Sequence, residues 1–168
     1  SVDKKYEVAI EMCLGASMQN IVTQAEQDAK KLVEYLRINN LGRASFLPIS
    51  SVKGKKLDKI KSKLDGVIGI ASDLISTDKI YKQIVESLLG RTVIVNDIDT
   101  AIELAKQNSY SFRIVTLKGD VINPSGAIQG GSVQTKTVNI LGRSKEIKDL
   151  QEHIKSLQIN LKEIQENK

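Results

Sequence analysis

From Ile147 to Ile164 apolar residues recur at spacings of 3, 4, 3, 4 and 3. Ile147, Ile154 and Leu161 fall at heptad position a, and Leu150, Leu157 and Ile164 at d. The residues between them, among them Lys148, Asp149, Gln151, Glu152, Lys155, Gln158, Lys162 and Glu163, are polar. An apolar stripe this narrow suits a partner helix better than a globular core. Residues 143–168 as one helix would run about 39 Å at 1.5 Å per residue. Before residue 143 only Lys4–Leu14 resembles a matching seam, and it is too short. The expected partner is therefore sequence upstream of Ser1, so that both ends of the chain emerge side by side. The other reading is a helix packed on its own domain. A chain that opens without Met and closes inside a polar helical pattern is expected to be a piece of a longer protein.

Ahead of the seam, strands and helices alternate. Lys4–Leu14 reads as a short helix with Tyr6, Ile10, Cys13 and Leu14 on one face and Gly15 as its stop. Met18–Val22 reads as a strand. Thr23-Gln24-Ala25-Glu26 has the capping-box pattern with Thr23 at the N-cap. The helix it opens would bury Ala25, Ala29, Leu32, Val33 and Leu36. Asn39-Asn40-Leu41-Gly42 ends that helix, and Arg43–Ile49 returns as a strand, which completes a βαβ unit. Further on, Gly66–Ala71 is a short apolar strand or buried connection. Ser76-Thr77-Asp78 offers an N-cap to a helix with Ile80, Ile84, Val85, Leu88 and Leu89 inward and Gly90 as its stop. Thr92–Val95 is a buried strand. Asn96 or Asp97 caps a helix with Ile98, Ala101, Ile102 and Ala105 inward, and Phe112–Leu117 is another strand. Shifted by 72 positions, Ile21-Val22 falls on Val93-Ile94 and Ala29 on Ala101. This weak repeat points to two related α/β halves, or to the chance likeness of any two βαβ units.

Between the halves, Ser50–Asp65 carries Lys53, Lys55, Lys56, Lys59, Lys61 and Lys63 against Asp58 and Asp65. Leu57, Ile60 and Leu64 recur at helical spacing, so part of it is expected to lie down as a basic amphipathic turn or helix. It is either a phosphate-facing patch or a solvated linker. The net charge of +5 permits nucleic-acid contact without requiring it. With aromatics at 4% and no Trp, an aromatic stacking platform for bases is not expected. No apolar run approaches the ~20 residues of a membrane span, and no apolar signal segment follows Ser1. The single cysteine, Cys13, leaves no internal disulfide and fits a reducing cytosol.

Catalytic chemistry lacks carriers. The one histidine, His153, sits on a heptad flank. Cys13 has no histidine near it in sequence and reads as structural, and HExxH, GxSxG and CxxC are missing. No metal ligands are expected, and a zinc-hook apex is excluded without CxxC. Gly119–Ser132 holds four of the eleven glycines and one of the two prolines. A P-loop needs a lysine straight after its last glycine, and Gly126-Ala127-Ile128-Gln129-Gly130-Gly131-Ser132 has none. A small-ligand or nucleotide-binding α/β domain thus stays as the alternative. The first reading is an edge that pairs with a second chain, with Val121-Ile122 and Ala127-Ile128 as its β-prone pieces.

Taken together these residues resemble the hinge domain of structural maintenance of chromosomes (SMC) proteins, of the bacterial type. The resemblance covers about residues 6–146. It rests on Ala9-Ile10 with Leu14-Gly15, Gly42-Arg43-Ala44-Ser45-Phe46-Leu47-Pro48, Leu88-Leu89-Gly90-Arg91, Gly119–Gly126, Gly130-Gly131-Ser132 and Leu141-Gly142-Arg143-Ser144. It implies a mixed α/β (α+β) fold, two related subdomains flanked by antiparallel coiled-coil helices. Residues 1–14 would be the end of an N-terminal arm and the helix leading in. Residues 15–65 would form the first subdomain with its lysine-rich linker, 66–142 the second with the glycine segment, and 143–168 the start of the C-terminal arm.

The resemblance further implies a hinge that homodimerises and joins two arms in chromosome condensation and segregation. The family's glycine pattern falls on Gly119, Ser125-Gly126 and Gly130-Gly131, where Ser125 replaces a glycine. With Ala127 and Ile128 these make the expected dimer contact. It implies sequence-independent contact with single- or double-stranded DNA, for which Lys53, Lys55, Lys56, Lys59, Lys136 and Arg143 are the candidates. It also implies an ATPase head with ATP and magnesium elsewhere in a full-length protein, kleisin subunits at that head, no cofactor in this piece, and a cytoplasmic, nucleoid-associated location.

Overall fold

The computed structural model describes residues 1–60, 62–131, 147–148 and 150–159. The chain divides into two compact units, Ser1–Val133 and Gln134–Lys168. In the second, residues 147–148 and 150–159 are helical, and His153 is exposed.

The first unit contains two sheets. β1 (Ile21–Thr23) and β2 (Phe46–Pro48) form a parallel pair bridged by helix α2 (Glu26–Ile38), with Ile21 opposite Phe46 and Thr23 opposite Pro48. The larger sheet has five strands in sequence order: β3 (Val67–Ile70), β4 (Thr92–Val95), β5 (Arg113–Thr116), β6 (Val121–Ile122) and β7 (Ile128–Gln129). Only β4 and β5 run parallel, joined through helix α4 (Ile98–Gln107). Strand–helix–parallel strand therefore occurs twice, in the two places the repeat marks.

Alternation along the central strands builds two cores, because successive side chains of a strand point to opposite faces. Ile94, Val115 and Val121 face one way. They pack with Leu89 of helix α3 (Lys82–Leu89) and with Ala9, Ile10 and Cys13 of helix α1 (Glu7–Leu14). Val93, Val95, Ile114 and Ile122 face the other way, onto Ala101, Leu104 and Ala105 of α4 and onto Phe112. These two faces are the core of the unit, and every residue of β4 is buried.

Helix α1, within residues 1–14, packs into the core of the larger sheet. Arg113 of β5 fixes it there by donating to the carbonyls of Cys13 (3.0 Å) and Met12 (3.2 Å), which the helix end leaves free. The N-cap of α2 is Ala25, not Thr23. Thr23 is held in β1, where its carbonyl accepts from Ile49 N at 2.9 Å, and Asp28 Oδ2 takes the Ala25 N–H at 3.1 Å. Ile80 is exposed, not inward. Residues Lys79–Tyr81 wind as a 3-10 turn, whose three-residue period shifts the apolar phase. Of the two candidate caps for α4, Asp97 serves, accepting from Thr100 N at 2.8 Å. That bond holds the Asp97 carboxyl below its usual range.

Residues 50–65 contain no helix among those described. They form an extended strap, not a free linker. Leu57, Ile60 and Leu64 pack against the α4 side of the larger sheet. Leu57 N donates to Gly90 O at 2.9 Å, and Gly54 N to Gln83 Oε1 at 2.9 Å. A Cβ at Gly90 would run into the carbonyls of Lys55 and Glu86, so glycine there lets the strap lie flat on the end of α3.

Candidate functional site

The glycine segment forms the far end of the five-stranded sheet. β5 turns into β6 through Gly119, whose N–H donates to Thr116 O at 3.0 Å and whose φ is 93°. Thr116 Oγ1 donates to Asp120 Oδ2 at 2.8 Å and accepts from Asp120 N at 3.0 Å. The β6–β7 hairpin closes with Gly126 N on Asn123 O at 2.8 Å and Asn123 N on Ala127 O at 2.9 Å. β7 is an edge strand: its outer side pairs with no strand among the described residues, and Ile128 is 55% exposed.

The seven residues expected at a dimer contact thus separate. Gly119 is buried and serves the chain's own turn. Ser125, Gly126, Ala127, Ile128, Gly130 and Gly131 are exposed along the hairpin and the residues after it. Gly130 has an intrachain role as well, since a Cβ there would stand 2.6 Å from Asp120 Oδ1.

A second exposed surface lies on β1 and α2. The sequence pattern placed the α2 part of it, Leu32 and Val33, in a buried stripe. Ile21 is 44% exposed, Val22 43%, and Leu32 and Val33 39% each; α2 has no buried residue. Ile21 and Val22 point to opposite faces of β1, and each stays part-exposed although α2 packs on the pair. Parallel strands are ordinarily covered on both faces. The repeat of Ile21-Val22 on Val93-Ile94 was the available signal, because it marks an apolar strand that the smaller sheet leaves part-exposed.

Among the basic candidates, Lys53, Lys55 and Lys59 are exposed on the strap and make no ion pair among the described residues. Lys56 differs, because its ammonium sits 2.6 Å from Asp73 Oδ1. Lys136 and Arg143 lie outside the described residues. On the helix of the second unit, Ile147, Leu150, Ile154 and Leu157 are all exposed, each by more than half. Leu161 and Ile164 fall outside the described residues. Cys13 is buried, which pushes its thiol up to about 12 and keeps it protonated at neutral pH. Among the described residues no group of three or more His, Cys, Asp or Glu would hold a metal.

The SMC proteins flexible hinge domain model matches residues 1–105. The chain is 48% identical over 151 residues to the chromosome partition protein Smc of Clostridium kluyveri (strain NBRC 12016), covering 89% of this chain and 13% of that protein. It is 45% identical over 166 residues to the protein of the same name from Desulfitobacterium hafniense (strain Y51), covering 98% and 14%. It spans about one-seventh of the length of these curated relatives. Among solved structures it resembles an asymmetric dimer of the Geobacillus stearothermophilus SMC hinge domain, at TM-score 0.79 and 37% identity over 94% of this chain and 64% of that one. It also resembles the Pyrococcus furiosus SMC protein hinge domain, at TM-score 0.66 and 35% identity over 82% and 71%. The mixed α/β fold with two parallel strand–helix–strand units is thus that of solved hinge domains, and the chain belongs to the SMC flexible hinge domain family.

Proposed function

We propose that this chain is the homodimerisation hinge of a chromosome partition protein, joining two coiled-coil arms. The carrying observation is the exposure of Ile21 and Val22 on β1, beside the exposed Leu32 and Val33 of α2. In the proposed dimer this surface of one copy receives the β7 edge and glycine hairpin of the other, and the contact occurs twice about a two-fold axis. Two different patches that complement each other close a ring in this way, and Ser125, being small, is compatible with close approach. The exposed seam from Ile147 to Leu157 supports a helix whose partner lies in another segment, and residues 143–168 with sequence before Ser1 are the proposed arms.

The same reading includes sequence-independent DNA contact through Lys53, Lys55 and Lys59, with Lys136 and Arg143 near the arm. Lys56 is a lesser candidate because Asp73 already neutralises it. Phosphate neutralisation would make that binding steeply salt-dependent. ATP, magnesium and kleisin subunits belong, in this proposal, to a head outside the chain, and the whole protein would act at the nucleoid. No helix among the described residues is long and apolar enough to cross a membrane. Sedimentation equilibrium of this chain tests the core of the reading: a dimer is expected, and a monomer at micromolar concentration would sink it. For DNA, charge reversal at Lys53, Lys55 and Lys59 is expected to weaken oligonucleotide binding at low salt, and unchanged binding would remove the strap from the proposal.

A further inference from the structure

Burial is divided unevenly along the first unit. Among residues 16–52 Thr23 alone is buried. Among the described residues, none of this segment joins either core of the larger sheet or packs against one. Ala29 and Leu36 of α2, with Phe46, Leu47 and Ile49, are half-buried. The hydrogen bonds of the segment close on itself. Ile21 N donates to Ser45 O at 2.9 Å and Ile49 N to Thr23 O at 2.9 Å. Ser50 N donates to Gln24 O at 3.2 Å, and Ser50 Oγ to Glu26 Oε2 at 2.7 Å. A two-stranded pair is marginal until a helix or a further strand covers it. A helix in turn draws most of its stability from the face it buries. Here the covering helix, α2, has no buried residue.

Both ends of this segment are gripped by the larger sheet and its helices. Just before it, Arg113 holds the carbonyls of Met12 and Cys13. Just after it, Gly54 N on Gln83 Oε1 and Leu57 N on Gly90 O hold the strap. At the first exit stands Gly15, exposed, with φ 49° and nothing within 4 Å of where a Cβ would be. The grips and the two cores involve no residue of 16–52, so they do not require that segment to be folded.

We infer that residues 16–52 open and close as a cooperative unit of their own, less stable than the larger sheet, and that a second copy docked on β1 and α2 supplies the stability they lack. The second half of this inference rests on the proposed dimer. Proteins open in contiguous units whose free energies range from near zero up to that of global unfolding. A partner that binds only the closed form makes opening rarer by mass action. Separation of the two copies and loosening of β1–α2–β2 are then one linked equilibrium. Whatever pulls the copies apart frees this segment, and whatever opens the segment releases the partner.

Native-state amide hydrogen exchange tests this, with sedimentation run at the same concentrations. In the chain diluted to monomer, amides of residues 21–49 are expected to exchange at least about tenfold faster than those of β4 and β5. While the chain is mostly dimer, its monomer fraction varies as the inverse square root of concentration, so a hundredfold dilution should speed exchange at 21–49 about tenfold. Leu104→Ala, in the core of the larger sheet, should speed exchange in β4 and β5 and leave 21–49 unchanged, because it weakens contacts that break only in global unfolding. Equal protection of 21–49 and β4, or equal acceleration of both by Leu104→Ala, would show one cooperative body and overturn the inference. Exchange at 21–49 that ignores dilution, where sedimentation shows a dimer, overturns the linkage and leaves the dimer reading intact. A chain that sediments as a monomer throughout removes the dimer reading and the linkage together, and the Leu104→Ala comparison still decides whether the segment opens on its own.

Discussion

β1–α2–β2 and β4–α4–β5 are each a strand, a helix and a parallel strand, yet Val93, Ile94 and Val95 are 0% exposed while Ile21 and Val22 are 44% and 43%. The helices differ in the same way. α4 buries Ala101, Leu104 and Ala105, whereas α2 buries nothing. The cause is what surrounds each unit. β4 and β5 sit inside a five-stranded sheet, with α1 and α3 on one face and α4 with the strap on the other. β1 and β2 have α2 and little else. Two units of one topology thus do opposite work: one holds the chain together, and the other, on our proposal, waits for a second copy. Hydrophobic burial is non-directional and does not distinguish an intrachain neighbour from an interchain one.

Five measurements would break or sharpen this contrast. The largest expected effect is in the filled unit. Leu104→Ala should cost about 2–5 kcal/mol in denaturant unfolding, as truncations in a tight core do; a loss under ~1 kcal/mol would mean that core is looser than its zero exposure implies. Next is Val22→Lys in the open unit. Surface substitutions ordinarily stay within about ±0.5 kcal/mol, so the monomer should keep its fold while the sedimenting dimer is lost. Should Val22→Lys unfold the chain as severely as Leu104→Ala, the open face would already be covered and the contrast would fail.

Third is Gly130→Ala. A Cβ there meets Asp120 and disturbs its bond to Thr116, for an expected cost of about 1 kcal/mol. Adding Asp120→Ala should relieve the clash. In the Asp120→Ala background Gly130→Ala should therefore cost nothing further; if it costs as much there as in the parent chain, Gly130 is there for another reason. The smallest effect is at pH and reagent level. Asp97 has its carboxyl held low by the Thr100 N–H. A lowered folded-state value means that its stabilisation is present above the unfolded-state pKa and is lost as pH falls through the folded one. The melting-temperature gap between the parent chain and Asp97→Ala should therefore shrink in acid; a gap that widens would reverse the assignment. At pH 8, well below the value of about 12 for the buried Cys13, maleimide labelling of the native chain should be slow because the thiolate is scarce. Fast labelling would show that the filled unit opens readily.

The filled half was the more legible one. Thr92–Val95 is an apolar run bounded by turn residues, and Asp97 before Ile98 announces a helix start, so each local signal agrees with the packing. The repeat placed the second unit correctly for the same reason. The candidate site was legible only as a pattern. Ser125 through Gly131 are exposed, whereas Gly119 is a buried turn glycine and Lys56 is paired with Asp73. Neither Asp73 near Lys56 nor Thr116 near Asp120 in space follows from spacing alone. Leu32 and Val33 were counted as core because a helical apolar stripe records that a face will be covered and is silent about what covers it.

The sequence by itself determined the periodicities: the strand–helix alternation outside residues 50–65, where Gly15, Asn39 and Gly90 stop helices, and that 147–164 carries a seam too narrow for a core. Those are local properties, fixed by residue spacing and backbone preference. The tertiary structure alone decided that α1 joins the larger sheet, that the lysine-rich strap is pinned by Leu57 and Gly54, and that β1 and α2 are left open. Each of these depends on residues far apart in the chain meeting in space, and the free energy of such contacts comes from the area they bury together, which no single segment carries in its own pattern.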